Sequence, residues 1–105
     1  MKAFRLEDLE AQRSANDGAY LQFVRERNMS AGLYALDAGS TDPQKPHAQD
    51  EIYLVMSGRG WITVGEETTS VARGSVVYVP ARTPHRFHHI SEDLRVMVVF
   101  SPPEG

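Results

Sequence analysis

The chain contains no cysteine. Disulfides, thiolate zinc sites and iron–sulfur clusters are thereby excluded. It also has no basic run. Arg59, Arg73, Arg82, Arg86 and Arg95 are scattered, and the formal net charge is −3. A general nucleic-acid surface needs clustered lysine and arginine to neutralise phosphates, so no nucleic-acid partner is expected. No apolar run approaches the roughly 20 residues that cross a bilayer, so no membrane partner is expected either. The opening Met1-Lys2-Ala3-Phe4-Arg5-Leu6-Glu7-Asp8 carries acids early and has no apolar core. It is not a signal peptide, and the expected location is cytoplasmic. Helical periodicity is scarce. Leu6, Leu9 and Arg13 fall at helical spacing, which predicts one short helix over 6–13, ended by the turn residues Asn16-Asp17-Gly18.

What is present is length for one core and many turn residues. The 105 residues suit a single domain over 1–105, with a barrel at about 19–101. Short strands are expected over 19–25, 32–36, 51–56, 60–64, 68–71, 75–79, 85–90 and 94–100. Their punctuation is Ser57-Gly58-Arg59-Gly60, Gly65-Glu66-Glu67, Arg73-Gly74 and Ser91-Glu92-Asp93. Many short strands with little helix indicate an all-β sandwich or barrel. Pro102-Pro103-Glu104-Gly105 reads as a loose end. The segment 51–56 alternates Glu51, Tyr53 and Val55 with Ile52, Leu54 and Met56, so both faces are apolar apart from Glu51. A half-exposed antiparallel strand should have a polar face. Either a second sheet or another subunit is expected to cover the outer face; in so small a chain the subunit is favoured, and with it a homodimer.

The chemistry-bearing residues come in two framed groups. The first is Gly39, five residues, Lys45-Pro46-His47, three residues, Glu51, six residues, Gly58. The second is Gly74, five residues, Pro80, then His85 and, four further on, His89. Two imidazoles and a carboxylate make a divalent-metal site if they converge. His47 and Glu51 would lie roughly 13 Å apart on a straight strand, so 48–50 must bend. The same arithmetic makes His89 a poor co-ligand of His85, although alternation sets His85, Phe87 and His89 on one face. A helical reading of His47 and Glu51, four residues apart, is disfavoured by the β-branched and aromatic residues that follow.

At these residues the chain resembles the cupin superfamily. That superfamily's first motif is matched by Gly39, His47, Glu51 and Gly58, and its second by Gly74, Pro80 and His85. Lys45 stands where the first histidine usually sits, Arg82 replaces a glycine, and His89 replaces an asparagine. The resemblance implies a double-stranded β-helix, a small jelly-roll barrel that is often dimeric. It also implies a metal held by His47, Glu51 and His85, because the Lys45 ammonium cannot ligate. Gln44 or Gln49 would supply a fourth oxygen, as a glutamine does in sugar-phosphate isomerases of the superfamily. Two histidines and one carboxylate are similar to the facial triad of non-haem iron oxygenases, and the set also suits Mn, Ni or Zn.

The expected function is a metal-dependent, dioxygenase-like enzyme acting on a small molecule. Two alternatives stay open: a non-catalytic metal- or ligand-binding module, and an isomerase or lyase using the metal as a Lewis acid. Lys45, Tyr53, Phe87 and His89 are the expected pocket residues, with Lys45 suited to an anionic ligand. Tyr53 and His89 are the candidates for a general base.

Overall fold

The computed structural model describes residues 1–104. One helix, α1 (Leu6–Ala15), precedes six strands: β1 (Tyr20–Arg25), β2 (Ser30–Leu36), β3 (Asp50–Val64), β4 (Glu67–Ala72), β5 (Val76–Val79) and β6 (His85–Ser101). The strands form one antiparallel sheet in the order β1-β2-β6-β3-β4, with β5 paired to β3. Glu7 and Asp8 in the first turn of α1 and Arg13 in its last complement the helix dipole. Leu9 is its buried residue. Glu10 joins the helix to the barrel, accepting from Arg13 at 2.6 Å and from Arg95 Nε at 3.0 Å.

The eight expected strands are six, because two pairs are continuous. Gly58 and the Ser91-Glu92-Asp93 segment, expected as turns, instead bend β3 (15 residues) and β6 (17 residues) without ending them. The two strands pair along nearly their whole length, from Glu51 opposite Phe100 to Val64 opposite His85. Their register shifts between Val55 and Ser57, Ser57 and Arg59, and Arg59 and Trp61. Such bulges bend a strand and curl its sheet. Gly58 has φ +95, and a Cβ there would stand 2.2 Å from the Asp93 carbonyl oxygen. Only glycine fits that approach.

The bend also switches side-chain parity. Along β3 the buried positions run Glu51, Tyr53, Val55 and then Gly60, Ile62. Along β6 they run His85, Phe87 and then Ile90, Leu94, Val96, Val98, Phe100. The inner face of both sheet halves thus stays apolar despite the bulges. The outer face of the β3–β5 pair is apolar too and open to solvent: Ile52 opposes Tyr78 and Leu54 opposes Val76. These four are 39–65% exposed.

Candidate metal centre

Glu51 is the second residue of β3 and His85 the first of β6, and the loop before β3 carries His47. Ligand atoms of the three lie within 4.8 Å of one another. The bend expected over 48–50 is made, and it is held from the facing loop: the Arg82 amide donates to the His47 carbonyl at 2.6 Å. Arg82 adopts φ +63 to do so. That left-handed conformation favours glycine, the residue of the superfamily motif at this position.

His85 Nδ1 lies 2.9 Å from the Thr83 carbonyl. A carbonyl only accepts, so Nδ1 carries the proton and Nε2 presents its lone pair to the interior. Nε2 is 2.8 Å from Glu51 Oε1, with both side chains buried. The separation is short, but its direction is not that of a hydrogen bond. His85 Nε2 and both Glu51 oxygens are buried without a hydrogen-bond partner among the described residues. Buried polar atoms left unpaired and turned to one point require an occupant, either a shared proton or a cation. Burial by itself pulls the His85 pKa down. The Glu51 carboxylate close to Nε2, the Thr83 carbonyl at Nδ1 and the charge of Asp42 outweigh it and raise the value. Two imidazole nitrogens and a carboxylate fit a divalent ion of the Mn, Fe, Ni or Zn kind.

The two glutamines part company. Gln44 Oε1 is 3.2 Å from His47 Nε2 and accepts from the Tyr53 hydroxyl at 3.0 Å. Its Nε2 donates to Asp42 Oδ2 at 2.9 Å, which turns the amide oxygen toward the cluster. Gln49 points away and donates to the Pro103 carbonyl at 3.2 Å. Gln44 is the one placed to add an oxygen donor.

The other expected residues divide similarly. Tyr53 is fully buried, and its ring meets Phe87 edge-on at 5.0 Å. Burial, then the Glu51 charge, pushes the Tyr53 pKa up, so the phenol stays protonated and donates. That disfavours it as a general base. Lys45 is exposed, two residues before His47. His89 is a correction. Alternation set it on the face of His85, but β6 bulges there: His89 has φ +49 and is exposed. Its ring lies against His88, which in turn contacts Thr63 Oγ1 at 2.8 Å. A cavity of about 630 Å³ is lined by residues including Val64, Thr68, Val77, Pro80 and Thr83. None of His47, Glu51 and His85 lines it. One of its lining residues is Thr83, whose carbonyl holds His85.

Three contributors lie outside the sequence reading. Asp42 is 5% exposed and accepts from Tyr34 Oη at 2.7 Å and the Phe87 amide at 2.9 Å, as well as from Gln44. Its only sequence signal is an acid before proline in the loop between Gly39 and Lys45. Tyr20 stands with its ring against Gly32 and its hydroxyl buried without a partner among the described residues. Burial, then the charges of Glu104 and Glu51, raises its pKa. Glu104 comes from the expected loose end, which is instead tied down, as the Glu104 amide donates to Ser30 Oγ at 2.9 Å. Gly105 lies outside the described residues.

The chain is a small antiparallel β-barrel with an inward His-Glu-His group. Residues 32–100 match the family model described as Cupin domain, and the chain belongs to that family. It is 81% identical over 105 residues, 100% of both chains, to an uncharacterised protein of Streptomyces coelicolor. A crystal structure of a Thermus thermophilus protein superposes with a TM-score of 0.76 at 26% identity, covering 98% of this chain and 99% of that one. The DMSP lyase DddQ from Ruegeria pomeroyi superposes with a TM-score of 0.73 at 20% identity, over 79% of this chain. This chain spans about half of that lyase, 46% of its length, so the likeness is one of fold. The fold is a double-stranded β-helix with a short N-terminal helix.

Proposed function

We propose that this cupin binds one divalent metal ion through His47, Glu51 and His85, with the Gln44 oxygen as fourth donor. On this reading it is a metal-dependent enzyme acting on a small molecule. One observation carries the proposal: Glu51 Oε1 and Oε2 and His85 Nε2 are buried, convergent and without a hydrogen-bond partner among the described residues. A bound ion would supply Lewis acidity or, as iron, O₂ activation at positions the protein leaves open. The chain's own residues orient the site. Thr83 and Asp42 fix His85 and Gln44, while the protonated Tyr53 phenol holds the Gln44 oxygen. Lys45, exposed beside His47, takes a carboxylate or phosphate on the ligand.

Dioxygenase-like chemistry is the first reading, because the two-histidine, one-carboxylate set is the facial-triad donor set. Lewis-acid lyase chemistry is the second, favoured by Tyr20. Its buried hydroxyl has no hydrogen-bond partner among the described residues and stays protonated, so it can donate a hydrogen bond to a substrate oxygen. The test is elemental analysis of untagged protein, wild type beside His47→Ala and His85→Ala, followed by substrate-dependent O₂ uptake. About one ion per chain, lost in both variants, is the expected result. Metal retention with ligand binding but neither O₂ uptake nor product would assign a non-catalytic binding module. A wild-type chain that takes up no metal after anaerobic reconstitution would overturn the reading.

A further inference from the structure

The segment after β6 is built into the centre. Residues 102–104 are held from three sides by their backbone. Gln49 Nε2 donates to the Pro103 carbonyl at 3.2 Å, the Arg25 guanidinium donates to the Glu104 carbonyl, and the Glu104 amide donates to Ser30 Oγ at 2.9 Å. Ser30 is fully buried, opposite Phe100 in the β2–β6 ladder. These anchors fix the direction of one side chain. The Glu104 carboxylate lies 2.6 Å from His47 Nδ1, and the His47 ring is braced from another side by Phe100 at 5.0 Å.

The contact has the same logic as the one on His85. The Thr83 carbonyl accepts from His85 Nδ1–H, and the Glu104 carboxylate accepts from His47 Nδ1–H. Each acceptor selects the tautomer whose Nε2 is free to ligate, and each fixes the plane of its ring. His47 Nε2 accordingly faces the Gln44 oxygen and the cluster. A carboxylate does more than a carbonyl, because its charge makes the imidazole a stronger donor. It also balances charge: the carboxylates of Glu51, which is buried, and of Glu104, which is 30% exposed, together match the two charges of a divalent ion.

We infer that Glu104 is a positioning residue of the metal centre, acting through His47, and that the C-terminal strap is part of the site rather than a tail. The inference rests on the proposed metal site and adds a residue that the motif spacing does not contain.

The test is competitive titration of Zn(II) and Co(II) into the full chain, comparing wild type with Glu104→Ala, Glu104→Gln and Glu104→Asp. Glu104→Gln keeps the strap's backbone anchors and the side chain's volume while removing its charge, so it stays informative if the alanine variant folds poorly. The expected result is affinity lowered by about 10- to 100-fold in the alanine and glutamine variants, the usual range for losing such a partner. The visible bands of bound Co(II) should shift as well. Glu104→Asp should recover part of the affinity, and the metal-free melting temperature of Glu104→Gln should stay close to wild type. Affinities and Co(II) spectra unchanged in both the alanine and glutamine variants would overturn the inference. Wild type binding neither ion would instead sink the metal site itself, which keeps the two failures distinct.

Discussion

Asp42 and Arg82 organise the centre without entering it. Asp42 collects hydrogen bonds from Tyr34, the Phe87 amide and Gln44 in a buried place. Replacing it by alanine orphans those donors together. Asp42→Ala should lower stability by about 3 kcal/mol, read from urea unfolding, and loosen Gln44. A loss under about 0.5 kcal/mol, the scale of an ordinary surface substitution, would contradict this network. Arg82 is the opposite case, with an exposed side chain on a backbone at φ +63. Arg82→Gly should raise stability by up to about 1 kcal/mol, since it removes the left-handed penalty and leaves the amide bonded to His47. His47, Glu51 and His85 are legible in the sequence because motif spacing marks them. Asp42, Tyr20 and Glu104 are not, because no spacing links a loop acid, a residue of β1 and the C-terminal segment to one point.

At the scale of elements, the bend shared by β3 and β6 decides the barrel. Gly58→Ala would press a methyl group onto the Asp93 and Leu94 backbone, which cannot move as a side chain can. It should cost on the order of 3 kcal/mol, measured by denaturant unfolding. The helix is coupled to the barrel more softly. The hydrogen bond from Arg13 lowers the Glu10 pKa below 4.5; desolvation opposes this, and Arg95 adds to the lowering. A depressed folded value means stability present above about 4.5, the unfolded value, and lost as pH falls through the folded one. Glu10→Gln should therefore lower the melting temperature slightly above about pH 4.5 and flatten the acid limb, the two proteins converging as pH falls through the folded value. Because Glu10 is 36% exposed, the effect is small. An unchanged acid limb would dismiss the coupling. The expected turns at Gly58 and 91–93 fail for one reason: glycine and acidic clusters mark both chain reversals and bulges, and only the partner strand distinguishes them.

For the whole molecule, the open question is what covers Ile52, Leu54, Val76 and Tyr78. We propose a second copy of the chain, since one face of the β3–β5 pair already packs the core and the other is equally apolar. Light scattering after size exclusion should give a dimer, and Ile52→Glu with Tyr78→Lys should give a folded monomer. A wild-type monomer at high micromolar concentration would refute the proposal.

The sequence by itself determined the all-β class, the family and the three candidate ligands. Each rests on local information: turn residues, period-two patterns, and motif spacing that a short stretch of chain carries whole. Only the tertiary structure decided that β3 and β6 run through their bends, that His89 turns outward, that Gln44 rather than Gln49 faces the cluster, and that Glu104 returns to His47. These depend on register and on contacts between segments far apart in the chain. A single bulge inverts every side chain beyond it, and nothing in the local pattern records the bulge.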